Sequence, residues 1–327
     1  MSGVSVGDTI YLDQYYNEST EQNVTKRVVI IGTGYDTELT DEKVVATLTG
    51  GLNLRANFVA FKSCRLDCTV NLYATDCTIA RCLINNVIKT QSTTAGINHI
   101  YSCYIFNNGR IEGYSSDSPS KFDVQNSIII NNNYADNPNI HNIAYLTESI
   151  INNNVIIKNF NTPSGSSTYT TRSLDQCYCM SNISNTRITN NLIYGYDSNS
   201  SYYYNRDFSN DVIASGSGNT IEHNVFSGTA SLQYFPTNKI GQRDNWESFF
   251  VCEGGYSDYY RLSMDAGDNP CINYATDGGE VGCHGGMFGC PAGGRPQYIP
   301  YFTKVTVGSR AENGKLPVSV SIKIQEE

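Results

Sequence analysis

Cys82-Leu83-Ile84-Asn85-Asn86-Val87-Ile88 reads as apolar residues, an Asn pair, then apolar residues again. The phrase returns as Tyr104-Ile105-Phe106-Asn107-Asn108 and as Ile128-Ile129-Ile130-Asn131-Asn132-Asn133. Ile150-Ile151-Asn152-Asn153-Asn154-Val155-Ile156 repeats it again. Two later copies are Ile188-Thr189-Asn190-Asn191-Leu192-Ile193 and Ile221-Glu222-His223-Asn224-Val225-Phe226. With Asn86, Asn108, Asn132, Asn154, Asn191 and Asn224 as marks, the steps are 22, 24, 22, 37 and 33 residues. Units of 22 to 24 residues are too short for propeller blades, and they lack the leucine signature of a horseshoe repeat.

Each unit holds short β-branched runs broken by Asn, Gly or Ser. β-branched residues favour strands, and Asn tolerates the left-handed backbone of a tight corner. No unit can bury an apolar face alone, so units must stack. The economical result is an all-β fold: a single-stranded, right-handed parallel β-helix with one turn per unit and capped ends. Coils would lie about 4.8 Å apart, the interstrand spacing. The marked Asn residues are expected at equivalent corners, bonded amide to amide along the stack. Cys82 and Cys103 fall in the apolar phase, together with Ile128 and Ile150, and are read as interior thiols rather than metal ligands.

Composition agrees. The 327 residues include 36 Asn, 24 Tyr and 28 Gly, whereas Asp, Glu, Lys and Arg make up only 16%. Asn, Gly, Thr, Ser and Tyr are poor helix formers. The aromatic content and low charge exclude a disordered chain. A net charge of −9 without a basic run argues against nucleic acid as a partner. No stretch of 18 apolar residues suggests a transmembrane helix. Met1-Ser2-Gly3-Val4-Ser5 does not read as a signal peptide, and the composition fits a secreted or cell-surface protein whose signal has been removed. Eleven Cys, an odd number in a long chain, do not point to a complete disulfide framework.

Outward from the repeats, residues 1–45 read as an N-terminal cap segment, 46–250 as the β-helix, and 251–327 as a closing segment with capping strands. In the tail, Leu316, Val318, Val320, Ile322 and Ile324 alternate with Pro317, Ser319, Ser321 and Lys323. That is a half-buried strand. Asn313-Gly314 is placed to turn it back on Phe302-Thr303-Lys304-Val305-Thr306-Val307 as a hairpin.

Gly7-Asp8-Thr9-Ile10-Tyr11-Leu12, the Ile30-Ile31-Gly32-Thr33-Gly34-Tyr35 turn and the Asn-Asn-Val-Ile coils resemble the pectate-lyase-like right-handed β-helix proteins. Tyr260-Arg261-Leu262-Ser263, Asp265-Ala266-Gly267-Asp268 and Gly285-Gly286-Met287-Phe288-Gly289 resemble the closing segment of secreted β-helix proteins common in Bacteroidetes. The likeness spans nearly the whole chain. It implies the fold, and it implies polysaccharide as the partner, bound or processed. The enzymatic version is a polysaccharide lyase, with a glycoside hydrolase as the weaker reading. The alternative of another class is a non-catalytic structural or adhesive surface protein; a trimeric phage-like fibre fits less well, and a monomer is expected. Fold likeness alone does not choose among these activities.

Chemistry is sought in the two long steps, because loops on a rigid scaffold carry function. The excess residues fall near 161–180 and 196–217, and consecutive inserts can wall a groove on one side of the stack. Tyr202, Tyr203 and Tyr204 offer stacking surface for sugar rings, and Asp197 is a further substrate-binding candidate. Arg206, Asp207 and Asp175 are the catalytic candidates, with Arg206 as base and Asp207 and Asp211 as an acidic pair. Ca²⁺ enters only if the chain is a lyase; no other cofactor and no metal site is assigned. Cys271, Cys283, His284 and Cys290 match no standard zinc spacing, and a Cys–Cys pair among them is preferred over zinc. His223, beside a marker Asn, reads as a coil-surface residue rather than a base.

Overall fold

The computed structural model describes residues 3–36, 45–93, 95–132, 141–160, 179–197, 216–227, 237–241, 249–251, 261–263, 269–290, 301–307 and 318–323. Among these residues there is no helix. Three parallel sheets run along the chain, each adding one strand per coil. Sheet A has nine strands, from Thr9–Tyr11 to Thr220–Glu222; sheet B has ten, from Asn17–Glu18 to Lys239–Gly241; sheet C has seven, from Gln22–Val24 to Met180–Ser184. As far as Met180–Ser184 each coil visits A, B and C in turn, and among the described residues beyond it only A and B continue; the architecture is a parallel β-helix. Stacking begins at Thr9, where Thr9–Tyr11 pairs with Val29–Ile31, inside the stretch 1–45 read as a cap segment.

The strands are two to six residues long in the coils, and alternate side chains point inward. Ile79, Ile100, Val124, Ile151 and Ile188 stack on the inner face of sheet A, and Leu66, Ile84, Ile105, Ile129, Ile156 and Ile193 on that of sheet B. All belong to one buried core. Burying such a side chain contributes about 1.5–3 kcal/mol, which is why a stack of short strands can hold together.

The corner between sheets A and B follows one rule through the molecule. Its first residue has positive φ: Ser63, Arg81, Ser102, Asn126, Asn153, Asn190 and His223, all between 51° and 59°. The next residue points inward: Cys64, Cys82, Cys103, Ser127, Asn154, Asn191 and Asn224; Asn238, after Thr237, takes the same place in the ladder. From coil to coil, its side chain accepts the backbone N–H of the equivalent residue one coil earlier. Ser127 Oγ accepts from Cys103 N at 3.1 Å, Asn154 Oδ1 from Ser127 N at 2.9 Å, and Asn191 Oδ1 from Asn154 N at 2.9 Å. The Cys82 and Cys103 thiols instead donate to the Phe61 and Ile79 carbonyls one coil earlier. Several of these side chains also donate to the carbonyl two residues before them, as in Cys103 to Tyr101, Ser127 to Gln125 and Asn191 to Thr189, whereas Asn154 donates to the Val124 carbonyl one coil earlier. Hydroxyl and amide therefore do the same job, one acceptor and one donor for backbone groups that water cannot reach, and the thiols supply the donor alone.

The Asn register needs a correction. Asn154, Asn191 and Asn224 do share this corner, joined amide to amide with Asn238. Asn86 and Asn108 follow sheet B strands and lie at the corner between sheets B and C, where Asn107 donates to Asn85. Asn132, just after the sheet B strand Ile128–Asn131, belongs with them; its N–H bonds the Asn107 carbonyl. Both corners place Asn between apolar strands, so the two ladders read as one. Cys82 and Cys103 are fully buried and free, side by side in adjacent coils. Their coil equivalent is Ser127, not Ile128 or Ile150: Ile128 pairs with Tyr104 on sheet B and Ile150 with Asp123 on sheet A.

A closing segment, residues 269–290, runs back along the A–B corner. Its apolar residues Cys271, Ala275, Val281 and Cys283 pack with Ile128, Val155, Leu192 and Val225, which cover the outside of sheet B. The positive-φ corner residues grip it in order. Asn190 Nδ2 donates to Thr276 Oγ1 at 3.0 Å and its Oδ1 accepts from Thr276 N at 2.9 Å. Asn153 reaches the Glu280 and Gly282 carbonyls, Asn126 those of Cys283 and Gly285, and Ser102 those of Phe288 and Gly289. The tail forms the expected hairpin: Tyr301–Val307 pairs antiparallel with Val318–Lys323. No helix among the described residues is long and apolar enough to cross a membrane.

Candidate functional site

On sheet A, the strand Ile97–Tyr101 turns Asn98 and Ile100 inward and sets His99 and Tyr101 on the outer face. The next strand, Lys121–Gln125, buries Phe122 and Val124 and presents Asp123 and Gln125. The register pairs His99 with Asp123 and Tyr101 with Gln125. Neighbouring outward residues in adjacent strands are close enough to interact.

The four side chains form one network. Tyr101 Oη donates to Asp123 Oδ2 at 2.5 Å and lies 2.8 Å from His99 Nδ1. Gln125 Nε2 donates to Asp123 Oδ1 at 2.7 Å. His99 Nδ1 is 3.6 Å from Asp123 Oδ2. With the phenol proton directed at the carboxylate, the Nδ1–H of a neutral His99 points at the phenol oxygen, and Nε2 is left as the acceptor. Burial pushes the Tyr101 phenol well above its ordinary range, and the hydrogen bond to Asp123 and that residue's charge push it the same way. Burial also raises the Asp123 carboxyl, but the nearby His99 ring and the hydrogen bonds from Tyr101 and Gln125 outweigh it and hold the group below the ordinary carboxylate value. At neutral pH the network is therefore a carboxylate fed by a neutral phenol, with the His99 ring at its edge.

The closing segment walls this cluster. The Phe288 ring lies on the Tyr101 ring at 4.1 Å between centroids and 8° between planes. Cys283 and Cys290 are joined in a disulfide that closes the loop carrying Phe288. This is the Cys–Cys pair preferred for the C-terminal segment. His284 lies beside the two sulfurs, its ring nitrogen within 4.8 Å of them, whereas Cys271 stands outside that group. Sulfurs bonded to each other are not thiolates, and zinc takes thiolates.

No family model, curated protein or solved structure matches this chain.

The residues singled out in the long steps fall mostly outside the described residues: Asp175, Tyr202, Tyr203, Tyr204, Arg206, Asp207 and Asp211. Asp197 ends the sheet B strand Leu192–Asp197, its backbone paired with Phe160. His223 holds a positive-φ corner next to Tyr274, with ring centroids 5.5 Å apart, in keeping with a coil-corner role. The cluster of His99, Tyr101, Asp123 and Gln125 was not anticipated. The signal for it lay in two alternating pairs, His-x-Tyr and Asp-x-Gln, one coil apart. It becomes readable only once the strand register is known.

Proposed function

We propose that the protein binds an extended, hydroxyl-rich polysaccharide along the outer face of sheet A, as a secreted or cell-surface protein of the pectate-lyase-like β-helix kind. The observation that carries this reading is the convergence of Tyr101, Asp123, His99 and Gln125 on adjacent strands of one parallel sheet. A repeating polymer suits a repeating surface. Carboxylate, amide and imidazole groups bond sugar hydroxyls, and aromatic bodies supply flat apolar contact. Charge supports a neutral glycan over a uronate. Asp123 is held ionised and the chain carries −9, so a carboxylated sugar is repelled unless a cation is supplied. The Cys283–Cys290 disulfide is in keeping with an oxidising compartment.

Processing is the stronger form of the same reading. His99 Nε2 is the group placed to accept a proton, with Asp123 stabilising the resulting imidazolium through the phenol. The test is a screen of the purified protein against a polysaccharide panel that records retention, ultraviolet-absorbing unsaturated ends and new reducing ends together. Retention without product identifies a binding protein. Unsaturated ends identify a lyase and a uronate substrate, which overturns the charge argument, and reducing ends alone identify a hydrolase. Retention of no member of the panel removes the glycan reading in favour of a structural surface protein.

A further inference from the structure

We propose that the disulfide-closed loop 283–290 is a positioning wall for the sheet A site: Cys283–Cys290 holds Phe288, and Phe288 holds the Tyr101 phenol over Asp123. As a statement about glycan capture this rests on the reading above; as a statement about Tyr101 it stands alone.

Three independent contacts support it. The loop backbone is pinned from below by the side chains of two successive corners. Ser102 Oγ donates to the Phe288 and Gly289 carbonyls at 3.0 and 2.8 Å. Asn126 Nδ2 donates to the Cys283 carbonyl at 2.9 Å and to that of Gly285. The loop ends are tied by the disulfide across a separation of 7 residues, which limits how far Phe288 can leave the corner. The Phe288 ring is parallel to the Tyr101 ring and covers one face of it. Ser102 directly follows Tyr101 in the chain, so the residue that anchors the loop and the residue the loop covers move together. Met287, next to Phe288 in the chain, is 85% exposed.

Opening the loop has a defined chemistry. A dithiol reductant transfers two electrons to the Cys283–Cys290 bond; the S–S bond breaks, two thiols form, and the reductant closes its own disulfide. Phe288 is then held by hydrogen bonds alone, and water reaches the uncovered face of Tyr101. The titratable groups facing the phenol are Asp123 and His99, and both remain in place.

The experiment is a solvent-perturbation ultraviolet difference spectrum of the full chain at pH 7, with the Tyr101 contribution assigned by difference from Tyr101→Phe. It is run on the wild type, Phe288→Ala, Phe288→Trp, the double variant Cys283→Ser/Cys290→Ser, and wild type treated with a dithiol. The Tyr101 ring is expected to become more accessible to the perturbant in Phe288→Ala, in the double variant and after reduction, and to stay shielded in Phe288→Trp, which keeps an aromatic stack. Unchanged Tyr101 accessibility in Phe288→Ala and in the reduced protein overturns the proposal. In parallel, affinity for the polysaccharide retained by the wild type should fall about fivefold in the opened forms and recover in Phe288→Trp, the size expected for one lost aromatic stack. A wild type that binds no glycan defeats the functional reading, while the difference spectrum still decides the role of the loop. Raised accessibility with undiminished affinity confines the wall to Tyr101 and overturns its part in glycan capture.

Discussion

Asn154 donates its Nδ2 to the Oδ1 of Asn191 at 3.0 Å, although 37 residues separate them. The pair is two rungs of the ladder that climbs the A–B corner, and both side chains are fully buried. Asn191 in turn donates to Asn224 Oδ1 at 2.9 Å and to the carbonyls of Ile151 and Thr189, each at 2.8 Å. An unmet buried polar group costs about 1–3 kcal/mol, so losing this amide strands several partners at once. Asn191→Ala is expected to lower unfolding free energy by about 3 kcal/mol in a urea titration. Asn191→Asp should also destabilise, since a carboxylate cannot donate to the two carbonyls. Asn108→Ala, at the other corner and exposed, should cost less than about 1 kcal/mol. Equal effects at Asn191 and Asn108 would contradict the assignment of two separate ladders.

The thiols of the same corner make stability depend on pH in a stated direction. Burial pushes the Cys82 thiol up to about 12, and it raises Cys64 and Cys103 well above the ordinary range. Cys68 and Cys77, also chiefly through burial, are raised to about 11. The folded state keeps protons that the unfolded chain releases above the ordinary thiol value near 8.5. Stability is therefore unaffected by these groups below that value and falls as pH rises through the window from about 8.5 to 12, by about 1.4 kcal/mol per pH unit for each such thiol. Urea midpoints measured at pH 8 and pH 10 should show the loss, and a Cys82→Ser/Cys103→Ser variant should show less of it. A midpoint constant across this range would contradict interior protonated thiols. In thiol labelling, Cys82 and Cys103 should react only in denaturant.

Docking of the closing segment can be broken at one atom. A Cβ on Gly285 would collide with the Glu280 carbonyl and stand 2.5 Å from Asn153 Nδ2. Gly285→Ala should therefore loosen residues 280–288 from the corner while leaving the coils intact. Hydrogen exchange is the suitable measurement. Faster exchange is expected at Gly282 and Gly285, whose N–H groups bond Asn190 and Gly282, without change at Ile129 or Ile156 in the core. Unchanged exchange in the closing segment would show that the corner amides do not hold it.

Much of the fold was legible because Asn-Asn between β-branched residues has few other uses. The step length pointed to stacking, the thiol phase placed Cys82 and Cys103 inside, and period-two alternation located the tail hairpin. Register was harder. Each coil has two corners that accept a polar residue between apolar strands, and strands as short as Leu83–Ile84 or Tyr104–Ile105 carry too little pattern to tell them apart. The ladder was also disguised, since Cys103, Ser127 and Asn154 are chemically unlike yet fill one position and bond the coil next to them. The same ambiguity hid His99 and Asp123, which meet only when the coil register is right. Asp175, Arg206 and Asp207, proposed from excess loop length, rest on the sequence argument alone.

The glycan reading is tested most directly by one affinity ratio. Binding of the retained polysaccharide is measured by calorimetry for the wild type and for Tyr101→Phe, a change that removes a single hydroxyl from the network while keeping the ring under Phe288. The account predicts a loss of about tenfold, the size of one hydrogen bond to a charged group. Equal affinity of the two proteins, or no heat of binding with any polysaccharide, would contradict it.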